Sequence, residues 1–235
     1  VNEKILHLIR HDDFQLPGSI TTWAAARGWR VREIRFFEMQ APQVMGKADL
    51  LVIMGGVMSA NDDARFPWLP LEKRWISERI ASGARVLGIC LGAQILANIL
   101  GGRVYRSPHR EIGWFPVARI DGADGGPFGD AIPEAHESFL WHSETFDLPP
   151  GAVRLARSEG CANQAFAWGK HVLAVQFHPE MIAEGARAIV AESGHEIIPG
   201  PFVQPTEEFL AGPERYHALA RVMHALLDRV AGEHP

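Results

Sequence analysis

The chain has 235 residues, of which 23 are basic and 28 acidic, for a formal net charge of -5; hydrophobic residues make up 47% and charged residues 22%. That is the make-up of a globular domain, and it provides no positive field to attract nucleic acid or an anionic membrane surface. The two cysteines, Cys90 and Cys161, exclude a disulfide framework. No signal segment opens the chain and no apolar run nears the roughly twenty residues of a membrane helix, so a cytoplasmic location without membrane attachment is expected.

In chain order, residues 4–9 read as a first strand. Ser19 is placed to cap a helix running to Gly28, and residues 31–36 form the next strand. Residues 49–54 are almost uniformly apolar, as in a strand buried on both faces, and stop at Gly55 and Gly56. A helix with Leu71, Trp75, Ile76 and Ile80 on one face ends at Gly83, and residues 86–89 form a strand leading to Cys90. Alternating strands and crossover helices predict an α/β fold with a mostly parallel sheet.

Beyond Gly102 the texture changes to short strands at 113–120, 153–157, 164–168 and 171–177, with Gly169 and Lys170 making a hairpin between the last two. An antiparallel portion added to the parallel sheet is therefore expected. Residues 182–192 and 214–230 read as helices around a proline-punctuated loop at 197–205. The stripe Tyr216, Leu219, Met223, Leu226 and Leu227 suits core packing or a partner helix. With no linker tract, residues 1–235 are read as one domain in which 182–235 is a mostly helical C-terminal extension.

Cys90 sits in VLGICLG, residues 86–92, between a strand and a helix. Glycines two residues to either side permit the sharp turn that projects a nucleophile, and the helix N-terminus favours a thiolate and an oxyanion. A packed core cysteine is the competing reading. The run AVQFHPE, residues 174–180, supplies a base and its partner: in an extended chain His178 and Glu180 point the same way, and Pro179 marks a strand end. Cys90, His178 and Glu180 thus form a candidate triad. No metal-ligand spacing surrounds His178, and His7 with His11 has no evident third ligand, so neither a metal nor another cofactor is expected. Cys161 lacks an elbow and reads as a packed or surface thiol.

Together GICLGAQILANILGG and AVQFHPE resemble the class I (triad) glutamine amidotransferases, most closely the GMP-synthase-like stand-alone branch. MGG at 54–56, EIGW at 111–114 and WHSETFDLP at 141–149 extend the resemblance. It implies a flavodoxin-like sheet flanked by helices, and hydrolysis of the γ-amide of L-glutamine or another γ-glutamyl compound through a thioester on Cys90. It further implies an oxyanion hole from the amides of Gly56 and Leu91, and substrate contacts from Gly55, Gln94, Trp141, Ser143 and Glu144. Ser143 stands where most relatives carry glycine, and Val57 where proline commonly follows the two glycines.

Ammonia released by such a domain normally passes to a synthetase, and the chain has neither GxxxxGK[ST] nor an SGGxDS loop to bind ATP. A separate ammonia-accepting synthetase is thus a possible partner; a free γ-glutamyl hydrolase and a non-catalytic regulatory subunit are the alternatives. The related elbow-cysteine peptidases and stress proteins lack the distant His-Pro-Glu segment. Loops at 61–68 and 106–111, with Arg65, Arg106 and Arg110, are expected to rim the site, where those arginines bind a second carboxylate or are simply solvated.

Overall fold

A computed structural model describes residues 3–39, 45–46, 49–210 and 212–233; the extreme ends of the expected 1–235 domain and residue 211 of its extension lie outside these. The chain runs β1 (Ile5–Ile9), α1 (Ser19–Ala26), β2 (Arg30–Ile34), β3 (Leu50–Ile53), α2 (Leu69–Ala81), β4 (Arg85–Ile89), α3 (Leu91–Ile99) and β5 (Val104–Arg119). It continues through β6 (Ala135–Phe146), β7 (Ala152–Arg157), β8 (Ala165–Trp168), β9 (Val172–Val175), α4 (Ala183–Ser193), α5 (Thr206–Leu210) and α6 (Pro213–Ala231). Among the described residues nine strands make one sheet in the order β2-β1-β3-β4-β9-β8-β7-β5-β6. The first five are parallel, and every pairing from β9 to β6 is antiparallel.

The uniform apolarity of the inner strands has a direct cause in their packing, because successive side chains serve opposite faces of the sheet. Leu6, Leu8, Leu50, Val52, Leu87 and Ile89 join a core with Ile20 and Trp23 of α1 and Met223, Leu226 and Leu227 of α6. Ile9, Leu51, Ile53 and Val86 point the other way, toward Leu69, Ile76 and Ile80 of α2 and Ile95 and Leu96 of α3. The α6 stripe is therefore core packing within the chain. Asp228 ties it down, accepting from Trp23 Nε1 at 2.8 Å and pairing with Arg27 at 2.6 Å.

Two expectations, the loop at 106–111 and the Ser19 cap, need correction, and two elements, β6 and α5, were not anticipated. Residues 135–146 form a twelve-residue strand, β6, that the apolar pattern does not announce, because AHESFLWHSETF mixes polar and apolar positions. Residues 106–111 are not a free loop but a register shift inside β5 against β6. Ser19 does not cap α1: Gly18 is the N-cap, with φ at 54°, while the Ser19 hydroxyl donates to the Glu180 carbonyl at 3.3 Å. The 197–205 segment leads into the short α5, whose Phe209 enters a third core cluster with Trp114, Phe139 and Tyr216.

Candidate active site

β4 passes into α3 with no intervening loop, and Cys90 occupies the joint at φ 52° and ψ -105° as the N-cap of α3. For a residue with a side chain this is strained backbone. Both flanking glycines are sterically required: a Cβ on Gly92 would stand 2.2 Å from the Ile53 carbonyl oxygen, and one on Gly88 would stand 2.7 Å from the Gly92 backbone. The strain thus aims the thiol out of the turn while strand and helix stay in close contact.

His178 lies beyond the end of β9, in a turn closed by Met181 N donating to the His178 carbonyl at 3.3 Å. The expected strand-end geometry therefore gives way to a turn, yet the side-chain pairing is formed, with His178 Nδ1 and Glu180 Oε1 2.8 Å apart. Burial opposes a charge on His178; Glu180 and Cys90, both in contact with it, outweigh that penalty and hold the imidazolium to a pH well above the usual histidine range. The Glu180 carbonyl also receives Ser19 N at 2.9 Å, which docks the start of α1 onto this turn.

A cavity of about 280 Å³ opens over Cys90 and His178. Gly56, Gln94, Trp141, Ser143 and Glu144 line it, as do Arg106 and Val57. Gly55 packs beneath, since a Cβ there would reach His178 Cε1 at 3.0 Å and Cys90 Cβ at 3.6 Å. Part of the expected substrate-gripping backbone is committed internally. The Trp141 carbonyl accepts from Cys90 Sγ at 3.7 Å, and the Glu144 carbonyl faces both Gln94 Nε2 at 3.2 Å and His142 Nδ1 at 3.1 Å. Gln94 is further held by Gln176 Oε1 at 3.2 Å, a residue two before His178 that strand alternation could have flagged. Of the three rim arginines only Arg106 lines the cavity; Arg110 donates to the Glu196 carbonyl and Arg65 lies over Phe66.

A second grouping of the same residue types lies on the antiparallel side. Glu111, His142 and Cys161 bring one ligand atom each within 4.8 Å of one another, all buried, which is a possible metal-ligand set that the sequence spacing hides. Internal hydrogen bonds already serve the carboxylate, however: Glu111 accepts from Gln164 at 2.8 Å and Ser158 at 2.7 Å, and meets His142 Nε2 at 3.0 Å. Burial pushes the Cys161 thiol up, against the opposing pull of Thr145 and Asn163. His7 and His11 do not act as a pair, since His7 meets Asp49 at 3.0 Å and His11 meets Glu72 at 2.9 Å.

The fold is thus an α/β protein that sets a strained cysteine between strand and helix beside a buried histidine–glutamate pair. The family model for class I glutamine amidotransferases matches residues 18–195. The chain belongs to that family. It is 29% identical over 200 residues to the glutamine amidotransferase-like protein YfeJ of Salmonella typhimurium, covering 82% of both chains. It is also 38% identical over 132 residues to the glutamine-hydrolyzing GMP synthase of Thermomicrobium roseum, a match spanning 56% of this chain and 23% of that protein. The crystal structure of a glutamine amidotransferase from Methylobacillus flagellatus superposes with a TM-score of 0.89 at 31% identity, covering 100% of this chain and 96% of that one. Among the described residues no helix is long and apolar enough to cross a membrane.

Proposed function

We propose that this protein hydrolyses the γ-amide of glutamine or a related γ-glutamyl compound through a glutamyl thioester on Cys90. The observation that carries the reading is the placement of Cys90 at positive φ on the N-terminus of α3, in contact with a His178 that is itself bonded to Glu180. In this mechanism the Cys90 thiolate adds to the γ-carbonyl carbon, and the carbonyl π electrons move onto oxygen, an oxyanion to which the N–H groups of Leu91 and Gly56 donate hydrogen bonds. The intermediate collapses as His178 protonates the departing nitrogen, releasing ammonia or an amine. Water, deprotonated by His178, then cleaves the thioester to glutamate. Glu180 orients the imidazole throughout.

A leaving group larger than ammonia is a second reading, favoured by the extent of the cavity past Cys90 to Ile189, Ser193 and Glu196. Purified protein is offered L-glutamine and γ-glutamyl peptides, and glutamate release is measured. Brisk turnover of a γ-glutamyl peptide by the chain alone supports the free hydrolase; glutamine turnover that rises on adding an ATP-dependent synthetase supports an ammonia donor. An unchanged rate in Cys90→Ala refutes the thioester mechanism, and turnover of neither substrate refutes hydrolysis and leaves the non-catalytic subunit.

A further inference from the structure

Two buried residues outside the triad hold the loop on which the oxyanion site depends. His11, just after β1, places Nδ1 2.8 Å from the Gly55 carbonyl oxygen and Nε2 2.9 Å from Glu72 Oε1 on α2. Both side chains have 0% exposure. A carbonyl can only accept, so Nδ1 carries the hydrogen, and a proton between Nε2 and Glu72 completes the chain. The Gly55 carbonyl and the Gly56 N–H share one peptide plane and point in opposite directions across a trans bond. Gripping the carbonyl from the His11 side therefore fixes the Gly56 N–H on the opposite side of the peptide.

The packing leaves this peptide little other freedom. A Cβ on Gly56 would lie 2.6 Å from Leu91 Cδ2 and 2.9 Å from His11 Cβ, so loop, α3 and His11 are in close contact. Met54, just before the loop, is fixed by its own N–H donating to Ile9 at 3.0 Å and its carbonyl accepting from Gly92 at 3.1 Å. Trp68 stacks on the far side of His11, with ring centroids 6.1 Å apart. A fully buried acid–histidine pair is a poor device for stability alone, because the desolvation cost consumes much of the attraction. Its geometry points instead to aiming a backbone donor.

We propose that Glu72 and His11 are positioning residues for the hydrolysis: Glu72 orients His11, and His11 Nδ1–H holds the Gly55 carbonyl so that the Gly56 N–H faces the oxygen made anionic by Cys90. This rests on the thioester reading above. Asparagine places a side-chain N–H near the Nδ1 position, whereas glutamine reaches the Nε2 position; comparing the two separates the Gly55 contact from the Glu72 contact. In a Glu72→Gln background, which leaves no orphaned carboxylate, His11→Asn recovers most of kcat, while His11→Gln lowers kcat about 10²-fold, the scale of a lost oxyanion donor.

KM for glutamine and the rate of Cys90 alkylation by iodoacetamide stay near wild type in both, since neither reads the oxyanion. Equal kcat in the two variants, or a loss confined to KM, overturns the proposal. Should those variants not fold, Glu72→Gln against Glu72→Leu carries the test: Gln can still donate to Nε2 and keep the hydrogen on Nδ1, Leu cannot, and full kcat in Glu72→Leu overturns the proposal. Undiminished turnover in Cys90→Ala would refute the underlying reading itself, whatever the His11 variants do.

Discussion

The two cysteines make a controlled comparison, for each is buried and each has a histidine and a glutamate near it. Cys90 stands at a strained turn on a helix N-terminus and lines the cavity. Cys161 sits in a bend between β7 and β8, where its Sγ lies 3.2 Å from the Thr145 hydroxyl and 3.8 Å from the Asn163 carbonyl. The same three residue types thus occur twice, and access to the cavity together with the dipole of α3 separates Cys90, the proposed nucleophile, from Cys161.

The largest expected difference is in turnover. Cys90→Ala lowers glutamate release by at least about 10³-fold, as for a lost covalent nucleophile, while Cys161→Ala stays within about threefold of wild type. A dead Cys161→Ala with an active Cys90→Ala would reverse the assignment. Next comes backbone. Gly92→Ala must open the 2.2 Å approach to the Ile53 backbone and costs about 3 kcal/mol or more, whereas Gly160→Ala, beside Cys161, has side chains as its nearest neighbours, Glu111 at 2.8 Å and Phe202 at 2.9 Å, and costs about 1–2 kcal/mol. Urea unfolding measures both.

Smaller effects sharpen the contrast further. Glu180→Gln leaves the ring hydrogen-bonded but uncompensated, and kcat falls about 10- to 100-fold, whereas Glu111→Gln chiefly lowers the melting temperature. The pH response should be the smallest. Because the folded pKa of His178 is raised, its charge contributes stability that is fully present below about pH 6.5, the unfolded value, and is lost as pH rises through the folded value. The melting-temperature gap between wild type and Glu180→Gln accordingly narrows toward alkaline pH; a gap that widens there contradicts the His178–Glu180 coupling.

Much of the site was legible because its signals are local. GICLG declares a turn that only small flanking residues allow, and His-Pro-Glu places base and carboxylate two residues apart. The parallel strands were legible because burial on both faces requires continuous apolar runs. β6 was not, since one of its faces carries polar residues that meet partners only in the folded protein, as His142 meets Glu111. The His11–Glu72–Gly55 contact was invisible for a different reason: its members come from three segments, and nothing within any one of them marks the others.

By itself, then, the sequence determined the parallel core, the elbow at Cys90 and the His178–Glu180 pair, since each depends on steric or burial rules acting over a few neighbouring residues. Tertiary structure alone decided which elements face the thiol, that α6 packs inside the chain, and that Cys161 meets Thr145 and Asn163. Those outcomes depend on strand order and on distances between remote segments, which no local pattern encodes.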